Sequence, residues 1–217
     1  MSNKTTEAKT ATTRPAASGP VVSGPDLAAV LLAGGPSTRL GQPKQLVRVG
    51  GESLVRRTAR LLLGLAPASV TVVTGCEATR VAGELEGLDL RIVHNRDWAQ
   101  GMGASINAGV RSLREGADGV LVTVCDQWRV AQDDLDRLAA CWAADISRIC
   151  VANWKEGEAF VSGPPVIFPR KLIPELKSMQ AARGARQLID RYMDLVDYVE
   201  MENAAFDLDR PEDLVRL

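Results

Sequence analysis

Leu31-Leu32-Ala33-Gly34-Gly35-Pro36-Ser37-Thr38-Arg39-Leu40-Gly41-Gln42-Pro43-Lys44-Gln45-Leu46 joins the end of an apolar run to a glycine turn and two cations. Without side chains, Gly34 and Gly35 let the backbone come close to an anion and turn its amides toward it. Arg39 offers a planar fork that can clamp two oxygens at once, and Lys44 a mobile point charge. Together they suit a polyphosphate. Neither common phosphate-loop pattern is present: Gln42-Pro43-Lys44 follows Gly41 where a Walker loop has Lys-Ser or Lys-Thr, and the Gly-x-Gly-x-x-Gly spacing is missing. The segment alone also fits an ordinary strand-to-helix turn with two surface cations.

The flanking sequence supplies the context. Residues 28–32, 69–74, 90–93 and 119–124 are short runs rich in Val, Leu and Ile, as buried parallel strands require. Helical periodicity fills the gaps. Ser53 is placed to cap a helix through Leu54, Thr58, Leu61, Leu62 and Leu65 that Pro67 ends; Ser105 is placed to cap a second through Ile106, Val110 and Leu113; residues 132–144 form a third. These β-α units predict one α/β domain, a three-layer Rossmann-like arrangement around a mostly parallel twisted sheet. Ligands in such folds bind at the carboxyl ends of the strands. The glycine turn lies at one such end, and Asp126 at another. Beyond residue 144 the pattern is less regular: a strand at 166–168, helices around 172–179 and 185–193, a strand at 198–201, and a closing helix with Pro211 in its first turn. Taken alone, Asp209 and its neighbours read as caps of that helix.

The 217-residue chain has room for one generous core, and its formal net charge of -1 gives no electrostatic reason to expect a nucleic-acid partner. Residues 1–25, rich in Thr, Ala, Ser, Gly and Pro, are expected to be a flexible leader, leaving residues 26–217 as the domain. No segment is long and apolar enough to cross a membrane, so a cytoplasmic protein is expected. Cys76, Cys125, Cys141 and Cys150 show no C-x-x-C or metal-ligand spacing and are expected to be reduced thiols. The single histidine, His94, lacks an evident catalytic partner, which disfavours Ser-His-Asp or Cys-His chemistry and suggests a structural role.

Four motifs recur in order: the glycine loop with Arg39 and Lys44, the run from Asn95 to Ser105 with Gly101-Met102-Gly103-Ala104-Ser105 at its end, Cys125-Asp126-Gln127, and Asp207-Leu208-Asp209-Arg210-Pro211-Glu212-Asp213. In that arrangement the chain resembles the MobA-like nucleotidyltransferases, and within them most nearly the molybdenum cofactor cytidylyltransferases. The resemblance implies the nucleotidyltransferase type of Rossmann-like fold and transfer of a nucleoside monophosphate to a phosphorylated acceptor with release of pyrophosphate. It implies that Leu32, Ala33, Gly34, Gly35, Arg39 and Lys44 hold the triphosphate, and that Gly101, Met102, Gly103 and Ser105 receive base and ribose. Arg39, Lys44 and Asp126 would be catalytic, and Asp126 and Asp209 would hold Mg2+, with Asp207 in support. CTP is favoured over GTP, and molybdopterin is the implied acceptor, with a molybdoenzyme as a possible recipient of the product.

Two departures stand out. Trp128 occupies a position where relatives often carry proline, and Gly163-Pro164-Pro165-Val166 lacks the histidine common near the acceptor. Three readings therefore stay open: the cytidylyltransferase, a guanylyl- or sugar-phosphate nucleotidyltransferase of the same fold, and a nucleotide-binding module without turnover.

Overall fold

In the computed structural model, which describes residues 24–217, one seven-stranded sheet runs through the molecule. Its strands are β1 (Leu27–Ala33), β4 (Ser69–Thr74), β5 (Arg91–His94), β6 (Gly119–Val124), β7 (Ile149–Glu156), β8 (Ala159–Pro169) and β9 (Val196–Glu200), in the order β5-β4-β1-β6-β8-β7-β9. A separate hairpin joins β2 (Arg48–Val49) to β3 (Glu52–Ser53). β1 pairs in parallel with β4 and β6, β4 with β5, and β7 with β9; β8 alone runs antiparallel to its neighbours. The sheet is mostly parallel, as expected.

Alternation along β1 explains the three layers. Leu27, Ala29, Leu31 and Ala33 point into one core with α1 (Leu54–Gly64), α2 (Ala78–Glu84) and α4 (Gln132–Ala144), while Val30 and Leu32 point into another. The second core is completed by α3 (Met102–Arg111), α5 (Ile173–Lys177) and α6 (Arg186–Arg191). A strand buried on both faces cannot alternate apolar with polar residues, which is why LAAVLLA is apolar throughout.

Several expectations change. Ser53 does precede α1, but its hydroxyl makes no capping bond and has no partner; Leu54 instead donates to the Val47 carbonyl at 2.9 Å. Ser105 does not cap its helix, because α3 begins three residues earlier, at Met102, after Gly101 turns the chain with φ +125°. The strand expected at 166–168 extends over Ala159–Pro169 and pairs with β7, which the sequence did not reveal. Pro164 and Pro165 fall at a register shift opposite Val151 and Ala152, where their missing N–H groups cost no ladder bond. The closing helix after Pro211 is a 3-10 helix, Pro211–Arg216. His94 ends the edge strand β5 and is exposed, so it is not a core histidine. The expected leader lies almost wholly outside the described residues. No described helix is long and apolar enough to cross a membrane.

Candidate active site

The loop after β1 is shaped from within. Gln45, only 1% exposed, donates through Nε2 to the carbonyls of Ala33 at 3.1 Å and Gly35 at 2.7 Å. Ser37 turns with φ +53° and accepts the Lys44 amide on Oγ at 3.1 Å, while Leu40 and Gly41 donate back to its carbonyl. The buried Ala33 carbonyl, the carbonyl of exposed Gly35 and the Ser37 turn are thereby satisfied from within the loop. Leu40 anchors it by joining Leu54 and Leu208 in a small apolar cluster.

Leu208 brings the far end of the chain with it. Its amide donates to the Asp126 carbonyl at 2.9 Å, and Gln127 and Asp207 form an isolated antiparallel bridge. Gln127 Nε2 donates to Pro164 O at 2.8 Å and Ala204 O at 2.9 Å, fastening the returning chain to β8 and to the end of β6. Asp209 is thereby delivered beside Asp126. It is not a helix cap: the Asp213 carboxylate accepts the amides of Asp209 at 3.1 Å and Arg210 at 2.9 Å, leaving the Asp209 side chain free to face the cations.

Lys44 Nζ bonds to Asp126 Oδ2 and, at 3.1 Å, to Asp209 Oδ1. Arg39 lies 3.4 Å from Asp209 Oδ2. Burial opposes the charge on Lys44, but Asp126 and Asp209 more than offset it and raise its pKa, so the ammonium stays protonated. Arg39 is mostly exposed, and its single contact is screened by solvent. Asp207 shows the opposite effect. Although Asp207 as a residue is exposed, partial desolvation of its carboxyl, together with the negative charges of Asp126 and Asp209, lifts its pKa to about 7. Cys125, fully enclosed next to Asp126, has its thiol pushed up to about 12 and is no nucleophile.

Beside this charge cluster opens a cavity of about 400 Å³. Leu32, Ala33, Gly34, Gly35, Lys44, Gly101, Met102, Ser105 and Asp126 all line it, with Trp98 on the wall, although these residues come from four separate parts of the chain. Asp209 joins through Lys44, and Arg39 through Asp209; both lie outside its walls. Gly103 departs from expectation: its amide is taken by the Ala181 carbonyl at 3.0 Å, and a Cβ there would collide with the carbonyls of Gln180 and Arg183. It serves helix packing and not the cavity. Ser105 accepts a bond from Asn95 Nδ2 at 3.1 Å, so its hydroxyl first ties α3 to the end of β5. A second, mostly apolar cavity of about 250 Å³ shares Leu32, Met102 and Val124 with the first and reaches β8 and α6.

Asp126 Oδ1 is buried without a partner while Oδ2 binds Lys44. An orphaned buried carboxylate oxygen is costly unless something complements it. Two carboxylates on hard oxygen donors, with phosphate oxygens and water to complete the shell, fit a divalent cation such as Mg2+.

The sequence missed Gln45 and Gln127 as site residues. The only signal is that a glutamine adjoins each charged residue, Lys44-Gln45 and Asp126-Gln127; that both are buried braces is visible only once folded.

A family model described as the MobA-like NTP transferase domain matches residues 29–196. Nicotine blue oxidoreductase of Paenarthrobacter nicotinovorans is 30% identical over 196 residues, covering 88% of this chain and 96% of that protein. A molybdenum cofactor guanylyltransferase of Rhodobacter capsulatus is 32% identical over 117 residues, 52% of this chain and 58% of its own length. Among solved structures, a Mycobacterium tuberculosis protein in complex with manganese shares the fold with TM-score 0.69 at 23% identity, covering 88% of this chain and 97% of that one.

Proposed function

This chain belongs to the MobA-like NTP transferase domain family, and from that premise we propose that it transfers CMP from CTP to the terminal phosphate of molybdopterin or its molybdenum form, releasing pyrophosphate. The observation that carries the reading is the meeting of Arg39, Lys44, Asp126 and Asp209 at the mouth of a glycine-lined cavity. An acceptor phosphate oxygen attacks the α-phosphorus in line, a new P–O bond forms, and the bond to pyrophosphate breaks. Negative charge grows on the leaving pyrophosphate. Lys44 and Arg39 stabilise that charge, and the Gly34-Gly35 backbone positions the chain of phosphates, so the work is electrostatic and geometric. Asp126 and Asp209 would hold Mg2+, which when bound neutralises phosphate charge. Lys44 now occupies both carboxylates, so binding requires it to swing toward the phosphates. The acceptor's body would occupy the adjoining apolar cavity.

Support for CTP comes from Pro43-Lys44-Gln45-Leu46 and the Asp97 to Ser105 run, which look more like cytidylyltransferases, while Ala33-Gly34-Gly35 looks like guanylyltransferase loops. The guanylyltransferase relative supports GTP as a second base. The relative named as an oxidoreductase supports a different reading, a redox enzyme using the same nucleotide cavity. Two measurements test the proposal. Thermal stabilisation across the four nucleoside triphosphates with Mg2+ should be largest for CTP, since a ligand bound only to the folded state raises stability. Pyrophosphate should appear only when Mg2+, CTP and molybdopterin are all present. Absence of pyrophosphate with every nucleotide and acceptor combination removes the transferase reading.

A further inference from the structure

Away from the cavity, Cys141 near the end of α4 meets Cys150 at the start of β7. The Cys150 thiol donates to Cys141 with the sulfurs 3.4 Å apart, and the carboxylate of Asp197 on β9 lies within 4.8 Å of both. Asp197 is already engaged, accepting from Arg148 Nε at 2.7 Å. The third donor is thus committed to a guanidinium, and the two sulfurs have each other. Cys150 is fully buried, whereas Cys141 is half-buried and reachable from solvent.

We propose that Cys141 and Cys150 form an oxidation site, at which a hydroperoxide converts the thiol pair into an intramolecular disulfide. In the first step the Cys141 sulfur attacks the terminal peroxide oxygen and the O–O bond breaks, leaving a sulfenic acid on Cys141 and releasing water, or an alcohol from an organic peroxide. In the second, the Cys150 sulfur attacks the Cys141 sulfur. The S–O bond breaks, and hydroxide leaves with the Cys150 proton as water. Two thiols lose two electrons and two protons, and the peroxide takes up both.

The order of the steps follows from the surroundings. Burial, then the bond to Cys141, holds the Cys150 thiol above the ordinary cysteine range, so it is the resolving partner and the accessible sulfur reacts first. Only a small movement is needed from 3.4 Å to a bond of about 2 Å. The site is remote from the nucleotide cavity. Cys150 pairs with Ile167, and Ile167 with Leu121, which precedes Asp126 by five residues, about 16 Å along a strand. The bond would staple α4 to β7 without entering that cavity.

The test treats purified Cys76→Ser protein, reduced and then freed of reductant, with a small excess of hydrogen peroxide. Removing exposed Cys76 prevents links between molecules. Non-reducing peptide mapping should find the Cys141 peptide joined to the Cys150 peptide, and titration after denaturation should find Cys125 as the sole free thiol. Cys141→Ser in the same background should leave Cys150 unmodified. Sulfinic acid accumulating on Cys141 with Cys150 still free would overturn the proposal. So would one equivalent of zinc retained by the reduced protein and lost in Cys141→Ser, which would make the cluster a metal site instead.

Discussion

The half of the sheet formed by β5, β4, β1 and β6 differs from the half formed by β8, β7 and β9 in how each supplies the site. The first is all parallel, and each strand ends at the same edge, so the glycine loop and Asp126 arrive side by side through strand pairing alone. The second contains the antiparallel β8 and a protruding hairpin with Phe160 exposed at its tip, and it supplies Asp209 indirectly, through a returning segment bridged to Gln127. Parallel topology concentrates loops at one edge automatically. An added carboxylate from elsewhere needs its own fastening, here Gln127, Leu208 and Asp213.

The sharpest challenge to this division is Asp126→Asn, which keeps the strand but removes the charge at its end. Pyrophosphate release should fall by roughly 1,000-fold or more while the melting temperature holds. Normal turnover would remove Asp126 from the mechanism and leave the glycine loop as the parallel half's contribution. Lys44→Met follows, with a loss on the order of 100-fold in kcat/KM. It also leaves Asp126 and Asp209 facing each other without their cation, so added Mg2+ should raise the variant's melting temperature more than the wild type's. An equal Mg2+ response in both would break the link between Lys44 and the carboxylates.

Gly103→Ala tests packing instead of chemistry. A methyl group has to displace the carbonyls of Gln180 and Arg183, and stability should drop by about 1–3 kcal/mol in denaturant unfolding. A much larger loss of nucleotide affinity than of stability would return Gly103 to the cavity. Gln45→Leu removes the brace under the glycine loop, and the KM for nucleotide should rise about tenfold with kcat little changed.

The smallest effect concerns pH at the returning segment, because Asp207 is exposed and solvent screens its charge interactions. With its folded pKa lifted to about 7, Asp207 binds a proton more strongly folded than unfolded, so it makes stability fall as pH rises from about 4 to about 7. Asp207→Asn should remove that slope and raise the melting temperature at pH 8 relative to wild type, with no difference below pH 4. An unchanged slope would place the Asp207 carboxyl away from Asp126 and Asp209.

Legibility followed the same division. The apolar runs at 69–74 and 119–124 and the helix at 132–144 match the folded elements end for end, because double burial demands apolar residues of the strands and the one buried face of the helix repeats at helical spacing. β7 was hidden because it leaves the core midway: Ile149 to Ala152 are buried, but Lys155 and Glu156 are exposed. α3 begins ahead of the start expected at Ser105 because Gly101-Met102-Gly103 carries no side-chain cap; a positive φ and a neighbouring carbonyl set its beginning. The adjacency of Cys141 and Cys150 left no spacing pattern, since a helix end and a strand start on neighbouring layers brought them together.

Local pattern alone determined the α/β layering and the anion-suited turn at Gly34 to Lys44, because periodicity and backbone freedom are properties of neighbouring residues. Only the tertiary structure decided that Asp209 faces Lys44 while Asp213 caps the closing turn, and that Gln45 and Gln127 brace the site. Those outcomes depend on contacts between residues up to 165 positions apart, as between Lys44 and Asp209. Nothing in the spacing of acidic residues along the chain says which will meet a cation and which an amide.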